Sequence, residues 1–264
     1  MLHLSSAQNN QLKRLKALQE KAKKRRLENV FVIEGLKEIE HAIDGGYQLE
    51  TVFVKEEEEE EPVVDLSNKI SFDTDIISVS ATLFERYCYR KTSKAIAVAQ
   101  CKKHHLDTFK TKLENPFILV AEAPEKPGNI GALLRTADAM GVDCFMIVDA
   151  KTDLYNPNVI RSSVGCLFSV PIVTASLEEA FQFLAQNKIH LYSAALTATA
   201  QPYTQYDYTG PCAIAVGTES DGLSEAWLKQ KSNKIIIPML GQNDSLNVSV
   251  AAGIILAEVQ RQRN

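Results

Sequence analysis

Residues 117–137 read FILVAEAPEKPGNIGALLRTA. The apolar run Phe117–Ala121 predicts a buried strand, and the stretch that follows predicts a helix over 129–140. Between them, Gly128 permits a tight turn and Asn129 is suited to cap the helix. A strand that runs directly into a helix is the repeating unit of parallel α/β sheets. This stretch therefore assigns the C-terminal part of the chain to the α/β class.

The same alternation of strands and helices continues to the C-terminus. A succession of this kind predicts a parallel sheet wound with helices. The predicted strands are Phe117–Ala121, Cys144–Val148, Val170–Val173, His190–Ala194, Cys212–Val216 and Lys234–Ile237, and the predicted helices lie at 129–140, 158–164, 176–187, 223–230 and 245–262.

The first hundred residues predict a second, smaller α/β unit. Its strands are Val30–Ile33, Leu49–Val54, Ile76–Val79 and Ala95–Ala99, and its helices include Gly35–Ile43 and Ala81–Tyr87. A polar stretch from Lys102 to Asn115-Pro116 then separates the two units. We predict an N-terminal domain over 1–104, a linker over 105–115 and a C-terminal domain over 116–264.

Positive charge is concentrated at the N-terminus although the net charge is −4. Residues 1–26 contain eight Lys and Arg but a single acid, Glu20. The spacing of Leu4, Leu12, Leu15 and Leu18 predicts one amphipathic helix, which leads into a basic cluster. The cluster either contacts RNA phosphates or is a solvated helix surface. It comprises Lys23, Lys24, Arg25 and Arg26.

The acidic run Glu56–Glu61 is expected to be exposed and is assigned no function.

The composition argues against several classes of protein. The chain has 45% hydrophobic and 23% charged residues, as globular proteins do, and no apolar run reaches the roughly 18 residues of a membrane span. The polar N-terminus lacks the apolar core of a secretory signal, so we expect a cytoplasmic protein. Its five cysteines are odd in number and widely spaced, which fits neither a disulfide framework nor a zinc site. We therefore expect no metal.

Two further segments place polar residues where strands end. Residues 213–224 read AIAVGTESDGLS, an apolar strand that breaks into a glycine-bounded turn. Residues 235–253 read IIIPMLGQNDSLNVSVAAG, in which Ser245, Asn247 and Ser249 alternate with apolar residues entering a helix. Open α/β folds bind ligands beyond the carboxyl ends of their strands. Taken alone, residues 213–224 are equally typical of a structural turn.

In this order and spacing, residues 127–137, 213–224 and 235–253 resemble motifs 1, 2 and 3 of the SpoU/TrmH branch of the SPOUT methyltransferases. The stretch from Asn156-Pro157 through 161–171 is also similar to that family. The resemblance covers residues 116–264. It implies 2′-O-ribose methylation of a structured RNA with S-adenosylmethionine as cofactor, and it favours ribosomal RNA over transfer RNA.

The resemblance also implies a deep trefoil knot in the C-terminal domain. The cofactor would lie in the knot and be held largely by backbone groups, and the protein would form a homodimer through this domain. The implied cofactor-binding residues are Gly217, Ile237, Met239, Leu246 and Asn247. The implied catalytic residues are Arg135, Asn129, Glu219, Ser245 and Asn247.

Arg135 is expected to hold the acceptor phosphate and to stabilise negative charge on O2′, because a guanidinium group normally stays protonated. By itself Arg135 is more typical of a surface arginine in a salt bridge. Glu219 has an alternative role as a carboxylate at a helix N-terminus, but its position in motif 2 favours the functional role. No histidine lies in the three motifs, so a histidine base is not expected.

The N-terminal domain is similar in layout to the small ribosomal-protein-like module that family members use for substrate RNA. Many members have Pro-Gln-Gly near its last strand, whereas this chain has Ser93-Lys94-Ala95. Two other functions stay open at this point. One is an RNA-binding protein that keeps the fold but has lost catalysis, and the other is methylation of a base atom.

Overall fold

The computed structural model describes residues 2–56, 69–109, 114–218 and 220–264. The chain forms two compact units, one of Met1–Lys103 with Asp153–Ser169 and the other of His104–Thr152 with Val170–Asn264. The predicted α/β fold is confirmed, with a mixed sheet in the N-terminal unit and a parallel sheet in the C-terminal unit. The sequence placed Asp153–Ser169 in the C-terminal domain, whereas this segment packs within the first unit.

The described helices and strands have the following bounds. The strands are β1 Leu2–Leu4, β2 Val30–Glu34, β3 Leu49–Lys55, β4 Asp75–Val79, β5 Ala95–Gln100, β6 Phe117–Glu122, β7 Cys144–Val148, β8 Ile172–Ala175, β9 His190–Ala194, β10 Gln201–Pro202, β11 Cys212–Val216 and β12 Asn233–Ile236. The helices are α1 Asn10–Glu20, α2 Ala22–Glu28, α3 Leu36–Asp44, α4 Ala81–Phe84, α5 Pro127–Ala139, α6 Pro157–Ser163, α7 Cys166–Ser169, α8 Leu177–Gln186, α9 Glu225–Lys229 and α10 Val248–Arg263.

The sheet of the first unit has the order β1-β4-β3-β5-β2. Strands β1, β4 and β3 are parallel, and β5 runs antiparallel to both β3 and β2. Leu12, Leu15 and Leu18 of α1 are buried against this sheet, as their spacing predicted. Of the acidic run Glu56–Glu61, residues 57–61 lie outside the described residues.

The predicted single N-terminal helix is wrong in two respects. Leu4 lies in β1, which pairs with β4, and α1 begins only after Asn9, whose side chain accepts a hydrogen bond from the Gln11 N–H at 2.8 Å. The chain then breaks at Lys21, which is extended (φ −117°, ψ 107°). The basic cluster therefore lies on a separate short helix, α2.

The segment Asp153–Ser169 is held in the first unit by buried aromatic rings. The Phe31 ring stacks on that of Tyr155 at a centroid distance of 4.3 Å and on that of Phe168 at 6.0 Å. Tyr47 meets both of these rings edge-on, and the Tyr155 hydroxyl accepts a hydrogen bond from the Lys102 N–H at 2.9 Å. Tyr155 and Phe168 are buried as a result.

The second unit contains a parallel sheet in the order β10-β12-β9-β11-β6-β7-β8. Strands β7, β9 and β11 have the bounds that the sequence predicted. Strands β7 and β11 are apolar and buried throughout, whereas β9 begins at the exposed His190. The strand predicted at Val170–Val173 lies two residues later, at β8, and α10 begins at Val248 because Asn247 caps it. The trefoil knot and the exact domain limits stay predictions.

Candidate active site

The carboxyl ends of β9, β11 and β12 lie side by side in the second sheet. The loops that follow these three strands line one cavity of 410 Å³, which the residues entering α10 complete. This is the edge at which parallel α/β sheets bind ligands. The wall combines the apolar side chains of Leu196, Leu223 and Ile255 with a small number of polar residues.

Most of the predicted cofactor-binding residues meet at this cavity. Gly217 follows β11, Ile237 and Met239 follow β12, and Leu246 lies at the entrance to α10. Asn247 lies between two lining residues, Leu246 and Val248. Residues far apart in the chain are therefore brought to one surface in the way that the motifs predicted.

A tight backbone hairpin shapes one side of the cavity. The Thr218 N–H donates to the Gly222 carbonyl at 3.0 Å, and the Gly222 N–H donates to the Thr218 carbonyl at 3.1 Å. Gly222 has φ +68°, a conformation that favours glycine. A methyl group added at Gly217 would overlap the backbone of Gly222 and Leu223. The hairpin therefore requires glycine at both positions, for different reasons.

Glu122 supports this hairpin and was missed in the sequence. It is the last residue of β6, is buried, and accepts a hydrogen bond from the Ser224 N–H at 2.7 Å, where α9 begins. A carboxylate is favoured at a helix N-terminus because it complements the helix dipole. A glutamate that ends an otherwise apolar strand was the signal that could have identified it.

The first and third motifs meet through two asparagines. The Asn247 side chain accepts hydrogen bonds from the Ser249 N–H at 2.9 Å and hydroxyl at 2.6 Å, and its amide donates to the Asn129 side-chain oxygen at 3.3 Å. The predicted capping role of Asn129 is wrong, because α5 already begins at Pro127. The Asn129 side chain is therefore available to the site. Ser245 lines the cavity.

Arg135 lies on α5 with an exposed side chain and is not among the residues that line the cavity. Its guanidinium forms no ion pair with any residue in the described ranges, so the salt-bridge alternative is not supported. Glu219 lies outside the described residues. Of the predicted catalytic set, the structure brings Asn129, Ser245 and Asn247 together.

The residues of the basic cluster on α2 differ in how far they are exposed to solvent. Lys23 and Arg26 are exposed, whereas Arg25 is only 3% exposed. The Arg25 guanidinium pairs with the Asp153 carboxylate at 2.7 Å and donates to the Leu18 carbonyl at 2.6 Å. The predicted RNA contact by Arg25 is therefore wrong, because its donors are engaged in the core of the first unit. Lys24 pairs with Glu28 on the same helix.

The described residues contain neither a helix that could span a membrane nor a side-chain cluster that could hold a metal ion. No helix there has the length and apolar character needed to span a bilayer. No group of three or more His, Cys, Asp or Glu side chains is arranged to hold a metal ion in the same residues.

The chain is an α/β protein with a small mixed-sheet unit and a larger parallel-sheet unit. The cavity at the carboxyl edge of the parallel sheet is typical of α/β proteins that bind small ligands. Residues 116–257 match the SpoU rRNA Methylase family, and residues 9–98 match the MRM3-like substrate binding domain. The chain belongs to the SpoU rRNA methylase family, as the motifs predicted.

Individual relatives match almost the whole chain. The 23S rRNA (guanosine(2553)-2′-O)-methyltransferase RlmP of Bacillus subtilis is 30% identical over 256 residues, which is 97% of this chain and 98% of the relative. A crystal structure of an RNA 2′-O ribose methyltransferase is 35% identical with a TM-score of 0.85 and covers 99% of both chains. The SpoU methyltransferase AviRb from Streptomyces viridochromogenes, solved with the cofactor AdoMet, is 28% identical with a TM-score of 0.86 over 97% of this chain and 99% of AviRb.

Proposed function

We propose that this protein transfers a methyl group from S-adenosylmethionine to a ribose 2′-hydroxyl of ribosomal RNA. The observation that carries the proposal is the meeting of motifs 2 and 3 at one cavity. The chain around it matches the SpoU rRNA methylase family over residues 116–257 and a substrate binding domain over residues 9–98. The match to RlmP, which extends over 98% of that relative, favours a 23S ribosomal RNA substrate.

The cavity fits a cofactor of this kind. Its volume of 410 Å³ lies within the roughly 300–1,000 Å³ typical of sites for small ligands. Apolar walls suit an adenine ring, and Gly217 allows the backbone of Gly222 and Leu223 to pack closely at one side of the cavity. The residues that would hold the cofactor are Gly217, Ile237, Met239, Leu246 and Asn247. When bound, S-adenosylmethionine supplies an electrophilic methyl group on its sulfonium.

The residues of the chain would then orient the acceptor ribose. Transfer requires the attacking oxygen to lie in line with the methyl group, so positioning accounts for much of the rate. Arg135 keeps a positive charge free of partners among the described residues and would hold the acceptor phosphate while stabilising charge on O2′. The Asn129–Asn247 pair and Ser245 would fix the edge of the site where motifs 1 and 3 meet.

The proposal includes a homodimer formed through the C-terminal unit and a cytoplasmic location, where ribosomal RNA is modified. A dimer agrees with the exposed apolar side chains of Leu246 and Val250, which are 39% and 49% exposed at the start of α10. Sedimentation equilibrium of the full chain tests the dimer, and a monomer at micromolar concentration would contradict it.

The activity is tested with tritiated S-adenosylmethionine and unmodified transcripts of 23S ribosomal RNA and of transfer RNA. We expect label in 23S ribosomal RNA, and a 2′-O-methylnucleoside after digestion and mass spectrometry. A base-methylated nucleoside would instead identify a base methyltransferase. A chain that binds both RNA and cofactor but transfers no methyl group to either RNA would be the inactive RNA-binding protein.

A further inference from the structure

The first unit contains a cleft that is lined by none of the residues of the candidate active site. It has a volume of 270 Å³ and lies between the loop 86–90 and helix α6. This volume is below the roughly 300 Å³ at which sites for whole small ligands begin, so the cleft suits one nucleotide unit better than a cofactor. The polar and aromatic residues of its lining include Glu34, Arg86, Tyr89, Arg90, Asn158 and Arg161.

Tyr89 is an aromatic ring held in place and open to solvent. Its side chain is 69% exposed, and the Arg161 guanidinium lies over one face at 3.6 Å from the ring centroid. Arg161 is itself fixed by a hydrogen bond to the Asn158 side-chain oxygen at 2.7 Å. A cation on one face orients the ring and leaves the other face available. Exposed rings of this kind are the surfaces on which proteins stack unpaired bases.

The charge around Tyr89 suits a polyanion. Arg86 and Lys91 are exposed, and the Arg86 guanidinium has no hydrogen-bond or ion-pair partner within the described ranges. The Arg90 guanidinium is also exposed but pairs with the Glu38 carboxylate at 3.0 Å. Glu34, the one acid among the described residues that line the cleft, accepts hydrogen bonds from the N–H groups of Tyr89 at 2.9 Å and Arg90 at 2.7 Å. The carboxylate therefore fixes the loop, and the outer surface of the cleft stays cationic.

We propose that Tyr89 is a stacking platform for an unpaired base of the substrate RNA. Arg161 positions the ring, and Arg86 contacts the adjoining phosphate. Bases in an RNA duplex are already stacked on their neighbours, so the nucleotide bound here lies in a loop, a bulge or an end. This inference rests on the proposed function, since it takes the substrate to be RNA.

The test compares full-length variants in binding an unmodified 23S ribosomal RNA transcript. Loss of one base stack weakens binding by roughly 5- to 100-fold, so Tyr89→Ala should show a loss in this range. Tyr89→Phe keeps the ring and should bind like the wild type. Phe72→Ala is the matched control, because Phe72 is a fully exposed ring of the same unit. Unchanged binding by Tyr89→Ala, or an equal loss in Tyr89→Phe, overturns the proposal.

A second measurement identifies the contact directly. A transcript substituted with 4-thiouridine is irradiated with the wild-type chain, and we expect an unpaired nucleotide crosslinked to the peptide that contains Tyr89. A crosslink pattern without this peptide overturns the proposal. In methyl transfer, Tyr89→Ala should raise the KM for RNA and leave kcat unchanged. Binding and crosslinking need no methyl transfer, so a chain that binds RNA through Tyr89 but is inactive contradicts only the proposed function.

Discussion

Arg135 is the residue on which the proposed choice of ribose depends. Its exposed guanidinium has no ion-pair partner among the described residues, and it lies apart from the cavity lining. We therefore expect Arg135 to contribute to the transfer step without contributing to cofactor binding. A mutation of Arg135 should therefore affect methyl transfer without affecting the binding of S-adenosylmethionine.

We expect Arg135→Ala to lower the rate of methyl transfer about 100-fold or more, the usual effect of removing one well-placed electrostatic group. Its Kd for S-adenosylmethionine, measured by calorimetry, should be unchanged. Substantial activity in Arg135→Lys would indicate that a positive charge alone is sufficient. Loss of activity in Arg135→Lys would indicate that the planar guanidinium, with its paired N–H donors, is needed. Lys229→Ala, which removes an exposed cation of the same unit, is the control. Wild-type rates in Arg135→Ala would remove this residue from the mechanism.

In the basic cluster on α2, we expect the exposed residues to contact RNA and the buried Arg25 to stabilise the fold. Because Lys23 and Arg26 are exposed, Lys23→Glu with Arg26→Glu should weaken RNA binding and flatten its salt dependence. Arg25→Ala removes a buried cation, leaves the partly exposed Asp153 carboxylate without its partner, and should destabilise the chain by up to about 3–5 kcal/mol. Salt titrations and thermal melts measure the two effects. A large loss of stability in the double charge reversal, or none in Arg25→Ala, would contradict this division.

At the scale of elements, the hairpin after β11 decides the shape of the cavity. Gly217 approaches the backbone of Gly222 and Leu223 so closely that no side chain fits. Since backbone atoms cannot move aside as a flexible side chain can, any substitution must displace the hairpin itself. The cofactor would then lose one wall of its site.

Gly217→Ala should therefore reduce affinity for S-adenosylmethionine by at least about 10-fold, a change of roughly 1.4 kcal/mol. Gly210→Ala is the matched control, because a methyl group there meets nothing within 4 Å. Calorimetry on both variants, with circular dichroism to establish that they are folded, gives the comparison. Equal affinities would mean that this hairpin does not contact the cofactor.

The sequence predicted the elements whose signal is local. Strands β7 and β11 are continuous apolar runs whose bounds agree with the prediction, and the bounds of β9 agree as well although it contains His190 and Ser193. Strand β1 was missed because three residues carry no periodicity and are ordered only by pairing with β4, more than seventy residues away. Burial of Arg25 was missed for the same reason, since its partner Asp153 is distant in the chain. The motifs predicted that the proposed cofactor-binding residues lie close together. Glu122 could be identified only from the structure, because its partner Ser224 is distant in the chain.

At the scale of the whole molecule, the division into units does not follow the order of the chain. The segment Asp153–Ser169 belongs to the first unit, although both of its neighbours along the chain belong to the second. Tyr155 and Phe168 of this segment are 7% and 5% exposed, and they pack on Phe31 and Tyr47. A fragment that begins at residue 116 would lose these partners.

We therefore expect the isolated fragment 116–264 to aggregate or to melt at lower temperature than the full chain. Without the first unit, the side chains of Tyr155 and Phe168 become exposed to solvent, and burial of each contributes about 1.5–3 kcal/mol. Tyr155→Ser with Phe168→Ser in the same fragment should improve its solubility. Val164→Ser should not, since Val164 of this segment is already 46% exposed in the full chain. Size-exclusion chromatography and thermal melts distinguish these cases. All residues that line the 410 Å³ cavity, the proposed cofactor site, lie in the second unit, so the soluble double variant should still bind S-adenosylmethionine. A wild-type fragment that is monodisperse and melts with the full chain would show that Asp153–Ser169 is stable without the first unit.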